Sequence, residues 1–104
     1  MMRFYSLEKL INMHDGYRKL FKIDQHRLML MQIAQELYLV ESHCPHLGHS
    51  LLAADIIGSD LRCSLHGYQF DLHTGNPTSI NDAPCRALKS YEIVYQQREV
   101  GLIF

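Results

Sequence analysis

The chain predicts an all-β fold, an antiparallel sandwich or barrel. Three observations carry that prediction. Apolar residues come in short stretches of about four to eight, polar breaks separate the stretches, and the one helical pattern lasts a single turn. That turn is Ser6 to Asn12, where Ser6 can cap and Leu7, Leu10 and Ile11 share a face. Tyr17 to Ile23 alternates, with Lys19, Phe21 and Ile23 on one side and Arg18, Leu20 and Lys22 on the other. His26 to Ile33 is the second expected strand and Leu37 to Glu41 the third. A long irregular middle follows, and Tyr91 to Gln96 and Val100 to Phe104 close the pattern.

The expected turns lack glycine. Asp24-Gln25, Ala34-Gln35-Glu36 and Gln97-Arg98-Glu99 join the strands, whereas tight two-residue turns favour Asn-Gly or Asp-Gly because φ is positive there. Longer loops, or type I turns with bulges, are therefore expected. Gly48, Gly58, Gly67 and Gly75 instead fall in the middle of the chain, where backbone freedom is concentrated.

With 104 residues the chain has the size of one domain, 1–104, large enough for a single core. Hydrophobic residues at 47% and charged residues at 20% exclude an intrinsically disordered chain. The formal net charge of −1 argues against a nucleic-acid partner, which usually meets a basic face. No apolar run approaches the roughly 18–20 residues of a membrane span, and the first residues, Met1-Met2-Arg3-Phe4-Tyr5-Ser6, hold no apolar signal region. A cytoplasmic monomer is expected. Three cysteines, Cys44, Cys63 and Cys85, are an odd count that points to metal or cofactor ligation over a disulfide framework.

Ligand-type residues cluster in two segments. Cys44-Pro45-His46-Leu47-Gly48-His49 reads Cys-x-His, and Cys63-Ser64-Leu65-His66-Gly67 reads Cys-x-x-His. Each offers one thiolate and one imidazole, with a glycine one or two residues later. Two such loops can converge on one centre with two sulfur and two nitrogen ligands. Structural zinc takes Cys₂His₂ sets, but the usual finger places its cysteines first and its histidines last. Mixed loops suit a [2Fe–2S] centre with both cysteines on one iron and both histidines on the other.

These segments, with Tyr68-Gln69-Phe70-Asp71-Leu72-His73-Thr74-Gly75 after the second, resemble the cluster loops of Rieske ferredoxins. The three strands before residue 42 match the family's lead-in. Ala83-Pro84 and Leu88-Lys89-Ser90-Tyr91 resemble its proline loop and the strand that follows. The resemblance implies a Rieske iron–sulfur fold: an antiparallel β-sandwich with a small cluster-binding subdomain of two loops, about residues 42–75. It implies that Cys44 and Cys63 hold one iron and that His46 and His66 hold the other through Nδ1. The implied role is a soluble one-electron carrier, not itself an enzyme. Its donor would be an NAD(P)H-dependent flavoprotein reductase and its acceptor a terminal oxygenase, such as an aromatic-ring dioxygenase. A small subunit of an assimilatory nitrite reductase, a Rieske domain from an oxygenase catalytic subunit and a structural zinc module are the other readings.

The chain also departs from high-potential Rieske proteins. Their extra loop cysteines are replaced by His49 and Leu65, so no disulfide is expected, and their serine and tyrosine donors to the cluster sulfurs fall on Tyr68 and Phe70. Replacing two thiolates by imidazoles makes the oxidised centre neutral, which places such centres at roughly −150 to +300 mV. Without both hydroxyls the increment from sulfur hydrogen bonds is not expected. His43, His49 and His73 are expected as loop residues, with His43 and His49 shaping the docking surface. Cys85 is expected as a free thiol, Pro84 as a shield for the cluster, Asp71 to Asn76 as a hydrogen-bonded turn, and Met29 and Met31 as core filler.

Overall fold

A computed structural model describes residues 2–45, 48–65, 67–78 and 85–104. Among these residues, three antiparallel sheets of three strands each form the architecture. The first contains β1 (Phe4–Lys9), β9 (Glu99–Ile103) and β8 (Val94–Gln96) in that order. The second is a meander of β2 (Arg18–Ile23), β3 (His26–Ile33) and β4 (Glu36–Glu41). The third, β5 (Asp55–Ile57), β6 (Asp60–Arg62) and β7 (Gln69–Asp71), arises from the stretch that the sequence reads as irregular. Its strands are only three residues long, too short for an alternation to register.

β3 organises the interior. Leu28, Leu30, Leu39, Val100 and Leu102 form one buried core, while Met29, Met31 and Val40 belong to another with Leu61, Phe70 and Leu88. Alternate residues of β3 thus feed opposite sides, and the unbroken run Leu28-Met29-Leu30-Met31 is wholly buried. A strand covered on both faces reads as a continuous apolar run. The two methionines are core residues, as expected.

The hairpin turns overturn one expectation. Ile23 pairs with His26, Ile33 with Glu36 and Gln96 with Glu99, so each connection has two residues and no extra loop. Ala34 and Gln35 have φ of 50° and 68°, and Gln97 and Arg98 have 49° and 66°; Asp24 alone is positive in the first turn, at 53°. Positive φ at both central positions is the type I′ signature, whose twist matches that of the flanking strands. The strand pairing on either side thus outweighs a left-handed cost of about 1–2 kcal/mol per residue.

The N-terminal helical turn is also corrected. Residues Phe4–Lys9 are strand β1, and only Leu10–Asn12 forms a 3₁₀ turn, with no side-chain cap. Ser6 lies in the strand, where its hydroxyl donates to the Glu99 carboxylate. Tyr5 and Leu7 pack on the core of Leu28, Leu30, Leu39, Val100 and Leu102, and a register shift between Ser6 and Glu8 marks a bulge. Ile11, expected on the same face as Leu7, is 89% exposed.

Candidate metal centre

The two ligand-bearing segments fold alike. In the first, the Cys44 amide donates to the His49 carbonyl at 2.7 Å and the Gly48 amide donates to the Cys44 carbonyl at 2.8 Å. In the second, the Cys63 amide donates to the Tyr68 carbonyl at 2.8 Å and the Gly67 amide to the Cys63 carbonyl at 3.1 Å. Each is a six-residue loop closed by the same two bonds. The fifth residue must be left-handed, and glycine supplies it, with φ of 73° at Gly48 and 71° at Gly67. Two of the glycines noticed in the sequence, Gly48 and Gly67, are therefore the loop closures.

The first loop follows β4 and the second lies between β6 and β7, so the β-scaffold presents both cysteines from rigid ends. Their side chains are 3% and 2% exposed, unbridged, and members of one apolar core with Leu51, Leu61, Tyr68 and Phe70. A hydrogen bond of 3.3 Å between Ser64 Oγ and His49 Nε2 ties one loop to the other. The structure thus brings Cys44 and Cys63 into one core. His46 and His66, the other two expected ligands, lie outside the described residues, as does Pro84. Among the described residues no three side chains of metal-binding type come together.

The surroundings are specific. The His43 ring accepts from Arg27 Nη1 at Nε2, 3.4 Å away, which leaves Nδ1–H to donate to Ser42 Oγ at 2.7 Å. Burial, then the Arg27 and His49 charges, pulls the His43 pKa below the usual value. Arg62 lays its guanidinium across the second loop: a Cβ on Gly67 would stand 3.5 Å from its Nε and Nη2. Sequence reasoning singled out neither Arg27 nor Arg62, because a single arginine carries no pattern.

The remaining candidates separate clearly. Cys85 packs against the core that holds Cys44 and Cys63, and burial pushes its thiol pKa up. His73 stands 3.9 Å from a Glu36 carboxylate oxygen and edge-on to Tyr38, at a ring-centroid distance of 5.6 Å. The Asp71 turn is hydrogen-bonded as expected. Its Oδ1 accepts from the His73 amide at 2.7 Å and the Thr74 amide at 3.1 Å, and these bonds hold the carboxyl below its usual pKa. The backbone repeats the cluster-loop closure, with Asp71 N–H donating to the Asn76 carbonyl at 2.9 Å and Gly75 N–H to the Asp71 carbonyl at 2.7 Å. The sequence shows this third copy as a hydrogen-bonded turn, but not as a repeat of the cluster-loop closure, because it has no cysteine.

A family model for the Rieske [2Fe–2S] domain matches residues 4–92, and the chain belongs to that family. The fold is also that of solved Rieske structures. The ferredoxin of carbazole 1,9a-dioxygenase from Nocardioides aromaticivorans IC177 superposes with a TM-score of 0.78 at 23% identity, covering 94% of each chain. The ferredoxin of Sphingomonas yanoikuyae B1 gives 0.81 at 19% identity, covering 96% of this chain and 97% of that one. A longer chain from a complex between oxygenase and ferredoxin of carbazole 1,9a-dioxygenase gives 0.76 at 23% identity, and the match spans 27% of it. Among curated proteins, cholesterol 7-desaturase of Xenopus laevis is 37% identical over 46 residues. The match takes in 43% of this chain and a tenth of that relative's length.

The described donors fit the [2Fe–2S] cluster of the family. Two buried, unbridged thiols with soft sulfur atoms stand in one apolar core. No helix among the described residues is long and apolar enough to cross a membrane.

Proposed function

We propose that this chain is a one-electron carrier whose cluster is held by Cys44 and Cys63 on one iron and by His46 and His66 on the other. The observation that carries the reading is the pair of like-folded loops, each delivering a buried thiol from the end of a strand. When bound, the cluster supplies reversible storage of one electron. The chain's own residues do the rest. The apolar core around the thiols excludes water, the Ser64–His49 bond holds the loops in register, and Arg62 places positive charge beside the second loop. A rigid frame of this kind keeps reorganisation small when charge changes. On this reading residues 1–104 are one domain, with 42–75 as its cluster-binding part.

The proposed donor is a flavoprotein reductase using NAD(P)H, and the proposed acceptor a terminal oxygenase. The ferredoxins of similar fold, some solved in complex with an oxygenase, support the acceptor; the donor rests on the family resemblance. A second reading, the Rieske domain of an oxygenase chain, is favoured by the match to a longer chain of such a complex and by the desaturase relative.

Iron and acid-labile sulfide analysis tests the cofactor, with about two of each expected per chain. Stoichiometric zinc in protein made with ample iron and sulfide would overturn it. Reductive titration should take up one electron per chain, and His66→Ala should abolish or strongly alter the visible spectrum while His73→Ala preserves it. Co-purification of a flavoprotein reductase with the unmodified chain supports the carrier reading over the oxygenase-domain reading.

A further inference from the structure

Beside the first cluster loop lies a groove of about 170 Å³, whose walls include His26, Arg27, Glu41, His43, Lys89 and Tyr91. Its charges are unevenly satisfied. Glu41 is fully engaged: Arg86 grips it with Nη1 and Nη2 at 2.7 and 2.8 Å, and the Lys89 amide donates to it at 2.8 Å. Arg27 and Lys89 are exposed, and among the described residues no carboxylate pairs with either side chain. Among the described residues the groove therefore carries two cations without a paired carboxylate, in a chain whose net charge is −1. It is also continuous with the centre. The Ser42 amide donates to the Arg27 carbonyl at 3.0 Å, Arg27 Nη1 reaches His43, and His43 directly precedes Cys44.

We propose that this groove is the docking site for an acidic surface of the redox partner, with a partner carboxylate seated between Arg27 and Lys89. The inference rests on the electron-carrier reading and adds the chemistry of the surface that meets the first loop. Opposite charge at a contact patch steers encounter and fixes orientation, and it does so where the two local fields match, whatever the net charge. Two isolated cations suit one or two carboxylates. A nucleic acid presents a continuous row of phosphates and needs a longer basic track.

The test uses the iron-loaded full chain and poly-L-glutamate as the acidic probe, followed by titration calorimetry. Binding should be measurable at low salt and fall steeply as salt screens the contact. Arg27→Gln with Lys89→Gln should weaken it at least about fivefold, as the loss of two charge-assisted contacts requires, and Arg27→Lys with Lys89→Arg should restore it. The control pair Lys9→Gln with Arg98→Gln removes the same charge around the β8–β9 turn and should change affinity less than about twofold. Equal losses in both pairs, or no binding by wild type, overturn the proposal. So does inorganic phosphate competing at equal charge concentration, which marks a small-anion site, or tighter binding of duplex DNA. Iron content and electron uptake are measured on the same samples. A chain that loads no iron refutes the carrier reading, whereas one that takes up an electron but ignores poly-L-glutamate refutes only the groove.

Discussion

The backbones of Gly75 and Leu88 lie directly against each other. The Leu88 amide donates to the Gly75 carbonyl at 2.8 Å, and a Cβ on Gly75 would stand 2.1 Å from the Leu88 carbonyl oxygen. Gly75 also has φ of 78°. This contact clamps the third six-residue loop to the segment that carries Leu88 into the core. Gly75→Ala should cost about 3–5 kcal/mol, combining a left-handed alanine with a clash against backbone that has little room to move. Gly48, by contrast, has nothing within 4 Å of the corresponding position. Gly48→Ala should cost only about 1–2 kcal/mol. Urea denaturation of both variants decides it, and equal losses would show that Leu88 yields.

The glycine-free turns are sites of stored backbone cost. Gln35→Gly and Arg98→Gly should each stabilise the protein by about 1 kcal/mol, because glycine adopts positive φ without a Cβ clash. The backbone bonds at these residues, Gln35 N–H to Asp15 Oδ1 and Leu10 N–H to the Arg98 carbonyl, survive the change. A rise of about 4–8 °C in Tm per substitution is expected for a domain of this size. A fall would show that the side chains make contacts worth more than the strain.

Acid should unfold the protein partly through Glu8. Its carboxylate accepts from Asn12 Nδ2 at 2.9 Å, from the Tyr17 hydroxyl at 2.8 Å and from the Lys9 amide at 2.9 Å. These bonds, the Asn12 one foremost, lower its pKa from 4.5 to about 2. A carboxylate depressed in the folded state stabilises fully above its unfolded pKa and ceases to as pH falls through the folded one. The contribution is therefore complete above pH 4.5 and is lost on the way to about 2. Thermal unfolding across that window should fall less steeply for Glu8→Gln than for wild type. Parallel curves would show that the loss comes from the other carboxylates.

The three cysteines should part company under substitution. Cys44→Ser and Cys63→Ser should each lose most of the bound iron, whereas Cys85→Ser should retain it. Cys85 is partly accessible but its thiol is held above the ordinary pKa, so it should react with iodoacetamide at pH 7 more slowly than free cysteine. Mass spectrometry of the labelled, iron-loaded chain measures both effects. Iron loss on Cys85→Ser would show that this thiol supports the centre.

Sequence reasoning reached the main meander closely: His26 to Ile33 matches β3 residue for residue, and Leu37 to Glu41 falls one residue short of β4. Those strands carry many apolar side chains each, so the periodic signal accumulates. It failed where the signal is short or nonlocal. Three-residue strands hold too few positions to show a period, and Ser6 reads as a cap only until Tyr5 and Ser6 pair with β9. The turns failed differently: glycine is the usual residue at positive φ, yet pairing on both sides imposes that conformation on alanine, glutamine and arginine. At the centre, Cys44 and Cys63 were legible because cysteine spacing is rare and local. The Arg27–Lys89 groove was not, since Arg27 lies on β3 and Lys89 in the segment before β8, far apart in the chain.

Among the described residues one backbone pattern occurs three times, beginning at Cys44, Cys63 and Asp71, and two of the three begin with a thiol. In the third, a carboxylate satisfies amides inside the loop, and the closing bonds are the same. The shape is therefore encoded by a glycine at the fifth position and two peptide hydrogen bonds, independently of what the first side chain binds. Curve and ligand are thus separable in the sequence: the glycine sets the bend, and the residue that opens the loop can change while the bend stays.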